Sequence, residues 1–304
     1  MHSQKSSFVW DSYSDLRYFE AMQNTVPSDS PGHTAKVWDE RAKSWEIDFN
    51  NPQKEKSKGR VESTMEYLQN RGILLPSYSV ADIGCGPGRF TIEFAKHTQK
   101  ALGLDISEKM LEMGKTYAEK ENMKNASFKI CDFRTLDIEK ENLKGQFDIV
   151  FTSITPAIYG TDALEKSMEM SRKYCFNSTH IYSRSELKNK ILKEVFNKDN
   201  VVFRDSFWFY SLFNLLLLRG YYPETSYYLK HEETIVTPDE ASADDFMRQI
   251  LPVEEYSFEN VKRIEKWMHK NLDDTGKLLD ISDTWYGRTL WEVTVKTDRL
   301  VKNN

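Results

Sequence analysis

A chain of 304 residues with 39% hydrophobic and 13% aromatic content can bury a sizeable core, as one large domain or one domain carrying an elaboration. Its 42 Lys and Arg against 47 Asp and Glu leave a formal net charge of −5, so no excess of positive charge invites a polyanion and nucleic acid is not an expected partner. The three cysteines, Cys85, Cys131 and Cys175, sit in apolar, strand-like segments outside any pairing or zinc-ligand spacing, which excludes a disulfide framework and fits a cytoplasmic setting.

The first residues, MHSQKSSFVW, lack the apolar stretch of a secretory signal. Residues 1–60 read as a polar, largely irregular appendage or helical lid. VPSDSPGH at 26–33 marks a loop, and KVWDERAKSWEIDF predicts a helix carrying Val37, Trp38, Ala42 and Trp45. NPQKEKSKGR at 51–60 reads as a basic, solvated connector with no role in binding. A helical pattern then runs through Val61, Met65 and Leu68 to a stop at Gly72.

From residue 79 strands alternate with helices, the rhythm of a parallel sheet covered on both faces. Strands are predicted at 79–83, 100–104, 127–131, 147–152 and 174–181, and helices at 88–97, 107–121, 161–171 and 185–197. Ser107 is the expected N-cap of the second of these helices, with Glu108 in its first turn. Residues 61–197 form the expected core domain.

The region 198–288 breaks the alternation and reads as an insertion capping the substrate site. Its apolar run SFWFYSLFNLLLL, 206–218, is shorter than the roughly 20 residues that span a bilayer, so it predicts a buried helix rather than an integral membrane segment. An extended segment follows at 225–236, then amphipathic stretches near 238–250 and 258–272. RTLWEVTVKT, 288–297, is the final strand, so that 289–304 returns to the core sheet. The six histidines are scattered without ligand spacing, and no metal site is expected.

The stretch SVADIGCGPGRF places Asp82, Gly84, Gly86 and Gly88 at a strand-to-helix turn. Glycine there permits positive φ and lets a ligand touch bare backbone, while the following helix offers unpaired N–H groups. The spacing G-C-G-P-G is not the G-x-G-x-x-G of dinucleotide sites. With its preceding acid it resembles the first motif of the class I S-adenosylmethionine-dependent methyltransferases. That resemblance implies a doubly wound, mostly parallel α/β sheet of seven strands with an antiparallel last strand, and S-adenosyl-L-methionine as cofactor. It assigns Asp105, in ALGLDIS, to the ribose hydroxyls and Ile106 to one adenine face. It puts Asp132 and Phe133, in KICDFRTLD, at the adenine amino group and beside the ring. The segment FDIVFTSITPAI resembles the fourth motif, which places Ser153, Thr155 and Pro156 towards methyl donor and acceptor. Family members close an N-terminal segment over the cofactor, which singles out Arg41 and Trp45. The usual L-K-P-G-G turn before the fifth strand is missing, and the segment before the last strand is long.

The implied chemistry is in-line methyl displacement onto a small-molecule acceptor, in which positioning does most of the work. His180, His231 and Tyr159 are candidate bases on the acceptor side. Trp38, Trp45, the aromatics of 207–210 and the tyrosines of 221–228 either line an acceptor chamber or form the core of the cap. The rivals are an RNA or protein methyltransferase, opposed for RNA by the acidic balance and by the want of a basic, aromatic-interleaved patch, and a non-catalytic cofactor-binding sensor or scaffold.

Overall fold

The computed structural model describes residues 12–25, 34–49, 58–199 and 206–297. Three helices come first, α1 (Ser12–Gln23), α2 (Ala35–Phe49) and α3 (Lys58–Asn70). The alternating region follows as β1 (Ser79–Ile83), α4 (Arg89–His97), β2 (Lys100–Asp105), α5 (Glu108–Lys120), β3 (Ala126–Ile130), β4 (Phe147–Ser153), α6 (Thr161–Met170), β5 (Ser171–Ser185) and α7 (Glu186–Phe196). The remainder is α8 (Ser206–Leu218), β6 (Glu224–Val236), α9 (Glu240–Ile250), α10 (Phe258–Lys270) and β7 (Leu278–Glu292).

The seven strands pair in the order β3-β2-β1-β4-β5-β7-β6, parallel from β3 to β5 and antiparallel at the far end. This is the doubly wound seven-stranded sheet expected. Every residue of β1 is buried, as a strand covered on both faces must be. Alternate residues take opposite sides. Val80, Ile149 and Phe151 join one apolar cluster with Leu68, Phe90 and Phe94, while Ala81, Ile83 and Val150 join another with Leu104, Leu164 and Met170. In the first cluster Phe151 holds the centre, its ring centroid 4.6 Å from Phe90, 4.8 Å from Phe94 and 4.9 Å from Phe176. Truncating so enclosed a ring costs about 3–5 kcal/mol.

Contacts divide the chain into two compact units. The first comprises Met1–Thr179, Phe207–Ser226 and Gly287–Asn304; the second comprises His180–Ser206 and Tyr227–Tyr286. The second unit has its own core, in which Leu187, Ile191 and Leu192 of α7 meet Phe246 and Met247 of α9 and Ile264 of α10. Ser185 caps α7 by accepting from Lys188 N at 3.0 Å and donates to Asp280 Oδ1 at 2.7 Å. Asp239 and Ser257 cap α9 and α10 in the same way.

Three expectations change. α1 falls in a stretch read as irregular, because its sequence SYSDLRYFEAMQ has little apolar periodicity. The residues expected to form one cap over 198–288 fall in both units: α8 belongs to the first, where Leu212, Leu215 and Leu216 join the cluster of Ala81 and Ile83. A helix apolar all round has to be covered on more than one side. The last strand begins at Leu278 rather than 288 and ends at Glu292, because LDISDT alternates polar residues that read as loop.

Candidate active site

The turn from β1 into α4 is built by three glycines in the left-handed region, Gly84 at φ +67°, Gly86 at +54° and Gly88 at +75°. Two of them have a second reason to lack a side chain. A Cβ on Gly84 would lie 1.9 Å from Thr155 Oγ1, and one on Gly88 would lie 2.5 Å from the Phe128 ring. A Cβ on Gly86 would meet no protein atom within 4 Å. At Gly86, then, the chain's own packing leaves the main chain open on the side where a side chain would stand. Cys85, between the first two glycines, is half-buried, and desolvation together with the charges of Asp82 and Asp105 pushes its thiol well above the usual range.

The loop is tied to the end of β2. Gly86 N donates to Asp105 Oδ2 at 2.8 Å and Ser107 N donates to Asp105 Oδ1 at 2.9 Å. Each oxygen keeps acceptor capacity, because a carboxylate oxygen has two lone pairs. Burial raises the Asp105 carboxyl above its ordinary pKa, against the lowering effect of these N–H groups. Asp82, in β1, is 3% exposed and accepts from Thr91 Oγ1 at 2.7 Å. Burial lifts its pKa from 3.8 to about 7; the Asp105 charge adds to the rise, while the Thr91 hydrogen bond and the Arg60 charge oppose it. Near neutral pH this carboxyl is poised between charged and uncharged forms.

On the far side of β2 the arrangement differs. Asp132, just past β3, accepts from Arg134 Nε at 3.0 Å and N at 3.1 Å on one oxygen and from Nη2 at 2.9 Å on the other. That hydrogen-bonded guanidinium holds its carboxyl below the usual range. The Phe133 ring is 3% exposed and packed in the apolar cluster of Ile83 and Leu104, so it has no open face. Lys166 Nζ closes this strand end by donating to the carbonyls of Phe133 and Arg134, each at 2.9 Å. Ile106 is half-buried.

At the end of β4, Ile154 lies at φ +53°, a region a β-branched residue enters only under constraint and at a cost of about 1–3 kcal/mol. Its N–H donates to Ser178 O at 2.8 Å, and Thr155 next to it caps the turn Pro156–Ile158 by accepting from Ala157 N at 3.2 Å. Ser153 accepts from Arg60 Nη1 at 2.7 Å. Of the run 51–60, read as a connector with no role in binding, residues 51–57 lie outside the described residues; Arg60 lies in the first turn of α3, and its guanidinium stands 5.3 Å over the Phe90 ring at this strand end. Its place at the end of a Lys-rich run hides it, since the apolar periodicity that marks the helix begins only at Val61.

Helix α2 meets the same rim through Asp39, whose Oδ1 accepts from Ser107 Oγ at 2.6 Å and Lys109 N at 3.3 Å. Arg41 stacks its guanidinium 4.7 Å over Trp38. Trp45 lies in this helix, but its side chain falls outside the described residues. Helix α1 docks within the first unit by Gln23 Nε2, which donates to Ser211 Oγ at 2.6 Å and Trp208 O at 3.3 Å. Tyr159 stacks on Trp208 at 4.5 Å with the rings 17° apart. His180 and His231 belong to the second unit, where His180 meets Tyr286 edge-on at 4.8 Å and His231 Nδ1 sits 2.7 Å from Asp283 Oδ1.

Sequence reasoning singled out the loop glycines, Asp82, Asp105 and Ser153, which the structure gathers at adjoining ends of β1, β2 and β4. It missed Asp39, Thr91, Arg134 and Arg60, which are bonded to Ser107, Asp82, Asp132 and Ser153 in turn and carry no signal of their own.

A profile of methyltransferase domains matches residues 74–214. The ubiquinone biosynthesis O-methyltransferase of Acinetobacter baumannii (strain AYE) is 26% identical over 118 residues, 38% of this chain and 44% of that protein. The phosphoethanolamine N-methyltransferase of Triticum aestivum is 35% identical over 115 residues, 36% of this chain and 22% of that protein. The chain thus spans less than half the length of either curated relative. Among solved structures, the YcgJ protein of Bacillus subtilis superposes with a TM-score of 0.48 at 12% identity, over 76% of this chain and 98% of that one. No helix among the described residues is long and apolar enough to cross a membrane. The matching profile covers the strands that carry the glycine loop and the rim acids, so that this part of the chain, a little under half of it, is similar to a methyltransferase domain.

Proposed function

We propose that this protein transfers a methyl group from S-adenosylmethionine to a small-molecule acceptor by in-line displacement, in the cytoplasm and with no nucleic-acid substrate. The observation that carries the reading is one juxtaposition. Asp105 is held by the N–H groups of Gly86 and Ser107 beside a loop whose three glycines all lie at positive φ, one of them with no protein atom where its Cβ would stand. The site therefore fits a nucleoside with a polar tail: a rigid acceptor for a diol on one strand end, and open main chain on the next.

In this reading Asp105 binds the ribose hydroxyls and Ile106 offers an apolar face to the adenine. Asp132, oriented by Arg134, accepts from the adenine amino group. Phe133 contributes through its main chain, because its ring is committed to the core. Gly84, Gly86 and Gly88 bring bare backbone to the amino-acid tail, and Asp82 supplies negative charge near its ammonium. Ser153 and the strained Ile154 shape the end of β4 from which an acceptor is presented, and Trp45 is the lid residue expected over the cofactor. When bound, the cofactor supplies an electrophilic methyl on a sulfonium; the chain's part is to orient it and exclude water. The two curated relatives are named for O- and N-methylation of small molecules, and a net charge of −5 speaks against an RNA substrate.

The test is calorimetric binding of S-adenosylhomocysteine, NADH and ATP, followed by transfer of labelled methyl from S-adenosylmethionine to a panel of small phenols, catechols and amines. Saturable binding of S-adenosylhomocysteine with label transferred to one acceptor class is the expected result. Binding of NADH or ATP in its place, or binding without transfer to any acceptor including RNA and protein, would overturn the proposal.

A further inference from the structure

The segment that follows β4 is held by a helix distant from it in the chain. Helix α6 begins at Thr161 behind Gly160, which lies at φ +93° and gives the first turn no side-chain cap. The first N–H groups of a helix have no partner within it. Asn24, just past the end of α1, supplies one from 137 positions away: its Oδ1 accepts from Thr161 N at 2.9 Å and from Thr161 Oγ1 at 3.3 Å. A Cβ on Gly160 would stand 3.2 Å from that oxygen, so the residue that cannot cap α6 itself makes room for the cap. One residue earlier, buried Gln23 ties α1 to the start of α8 through Ser211 Oγ at 2.6 Å and Trp208 O at 3.3 Å. Trp208 is the ring on which Tyr159 stacks. Past the other end of α8, Arg219 Nη2 lies 3.0 Å from Glu20 Oε1 of α1 and 2.8 Å from Glu165 Oε1 of α6. Leu16 and Phe19 of α1 pack against the same apolar cluster as Ala157 and Ile158.

We infer that α1 is a brace for the acceptor side of the site, and that Asn24 and Gln23 are positioning residues that fix the segment 155–159 between the end of β4 and the start of α6. The inference rests on the function proposed above, in which the end of β4 presents the acceptor. The segment leaves β4 through Ile154 at φ +53° and ends at Gly160 at φ +93°. A backbone strained in this way keeps its shape only where its surroundings over-determine it. Its near end is fixed within the sheet, by Ile154 N on Ser178 O at 2.8 Å, and its far end by α1. In a displacement that depends on three atoms in line, moving the acceptor by about 1 Å costs up to about 100-fold in rate. The ribose and tail contacts of the cofactor, assigned to β1 and β2, do not depend on that far end. The brace therefore acts on transfer and not on cofactor affinity.

The experiment separates the two quantities on the full-length wild type and on Gln23→Ala, Asn24→Ala and Asn24→Asp, well below their melting temperatures. Affinity for S-adenosylhomocysteine is measured by calorimetry, and kcat and KM with the phenol, catechol or amine that the wild type methylates fastest. Gln23→Ala should lower kcat/KM for that acceptor by about 10- to 100-fold and Asn24→Ala by about 3- to 10-fold, with S-adenosylhomocysteine affinity changed less than about twofold in both. Asn24→Asp keeps an oxygen for Thr161 N, favoured there by the helix dipole, and should restore most of the rate. If Gln23→Ala does not fold, the exposed position 24 decides the matter through its two variants. Wild-type transfer in the alanine variants, a loss of S-adenosylhomocysteine affinity that matches the loss of transfer, or an Asn24→Asp protein as slow as Asn24→Ala overturns the brace and leaves the methyltransferase reading standing. A wild-type protein that binds no S-adenosylhomocysteine, or that transfers methyl to no acceptor, overturns both.

Discussion

At the rim of the first unit Asp105 is held by main chain, whereas in the second unit Asp283, on β7, is held by other side chains. Asp105 takes N–H groups from Gly86 and Ser107 at 2.8 and 2.9 Å. Asp283 takes His231 at 2.7 Å and Arg184 at 3.6 Å, with the His231 side chain 54% exposed. The first arrangement fixes a charged group with partners that lose no side-chain entropy, which pre-organises it for a ligand. The second orders long side chains in solvent, where ion pairs contribute little. On the function proposed above, the difference separates a group placed to bind from one placed at a surface, and mutation tests it.

The largest effect is expected at Asp105. Asp105→Ala removes both acceptors for the ribose hydroxyls, each charge-assisted contact being worth about 1.5–3 kcal/mol, so affinity for S-adenosylhomocysteine should fall by more than about 100-fold with the far-ultraviolet circular dichroism intact. A near-normal dissociation constant by calorimetry would sink the ribose assignment. Next come the glycines. Gly88→Ala adds a left-handed penalty of about 1–2 kcal/mol to the overlap with Phe128, itself worth about 1–3 kcal/mol. Gly86→Ala carries only the backbone penalty and should instead show its main loss in cofactor binding. Urea midpoints and binding isotherms for the pair test this; equal destabilisation would mean that Gly86 is walled in like its neighbours.

Asp82 gives a smaller effect with a definite pH signature. Its folded pKa of about 7 lies above the ordinary 3.8, so between those values the folded chain keeps a proton that the unfolded chain has released. The contribution of this group to stability is therefore greatest at or below the unfolded pKa and declines as pH rises towards 7. Asp82→Asn removes that decline, and the melting temperature of the variant relative to wild type should climb between pH 5 and pH 8. A difference independent of pH would mean that Asp82 is ionised throughout.

The smallest effect belongs to the second unit. Asp283 raises the His231 pKa from 6.5, so what stabilisation the pair supplies is present below that value and disappears as pH rises through the folded pKa. His231→Ala should lower the melting temperature slightly at pH 5.5, leave it unchanged at pH 9, and leave S-adenosylhomocysteine binding untouched. A loss of binding would remove the distinction drawn between the two regions.

Much of this was legible from residue order. The apolar runs of β1 and β4 predict fully buried strands, the spacing of Gly84, Gly86 and Gly88 predicts a backbone-lined turn, and Ser107 reads as a helix cap and is one. The first half of β7 was not legible, since its alternating Asp280, Ser282 and Thr284 read as loop until a partner strand satisfies their backbone. The direction of the Phe133 ring was not legible either, because an aromatic next to a strand-end acid gives no sign of which way its ring turns; in the fold it packs in the apolar cluster of Ile83 and Leu104.

Residue order alone determined the sheet class, the strand-to-helix turn and the acids at its rim, because each depends on interactions among residues close in the chain: periodicity, capping and the freedom of glycine. Tertiary structure decided the rest. Arg60 reaches Ser153 across 93 positions, Asp39 reaches Ser107 across 68, and α8 joins the core of the first unit although it follows residues of the second. Such pairings arise only when folding brings distant segments together, and no local pattern encodes them, because the residues involved are charged or small and serve equally well at an open surface.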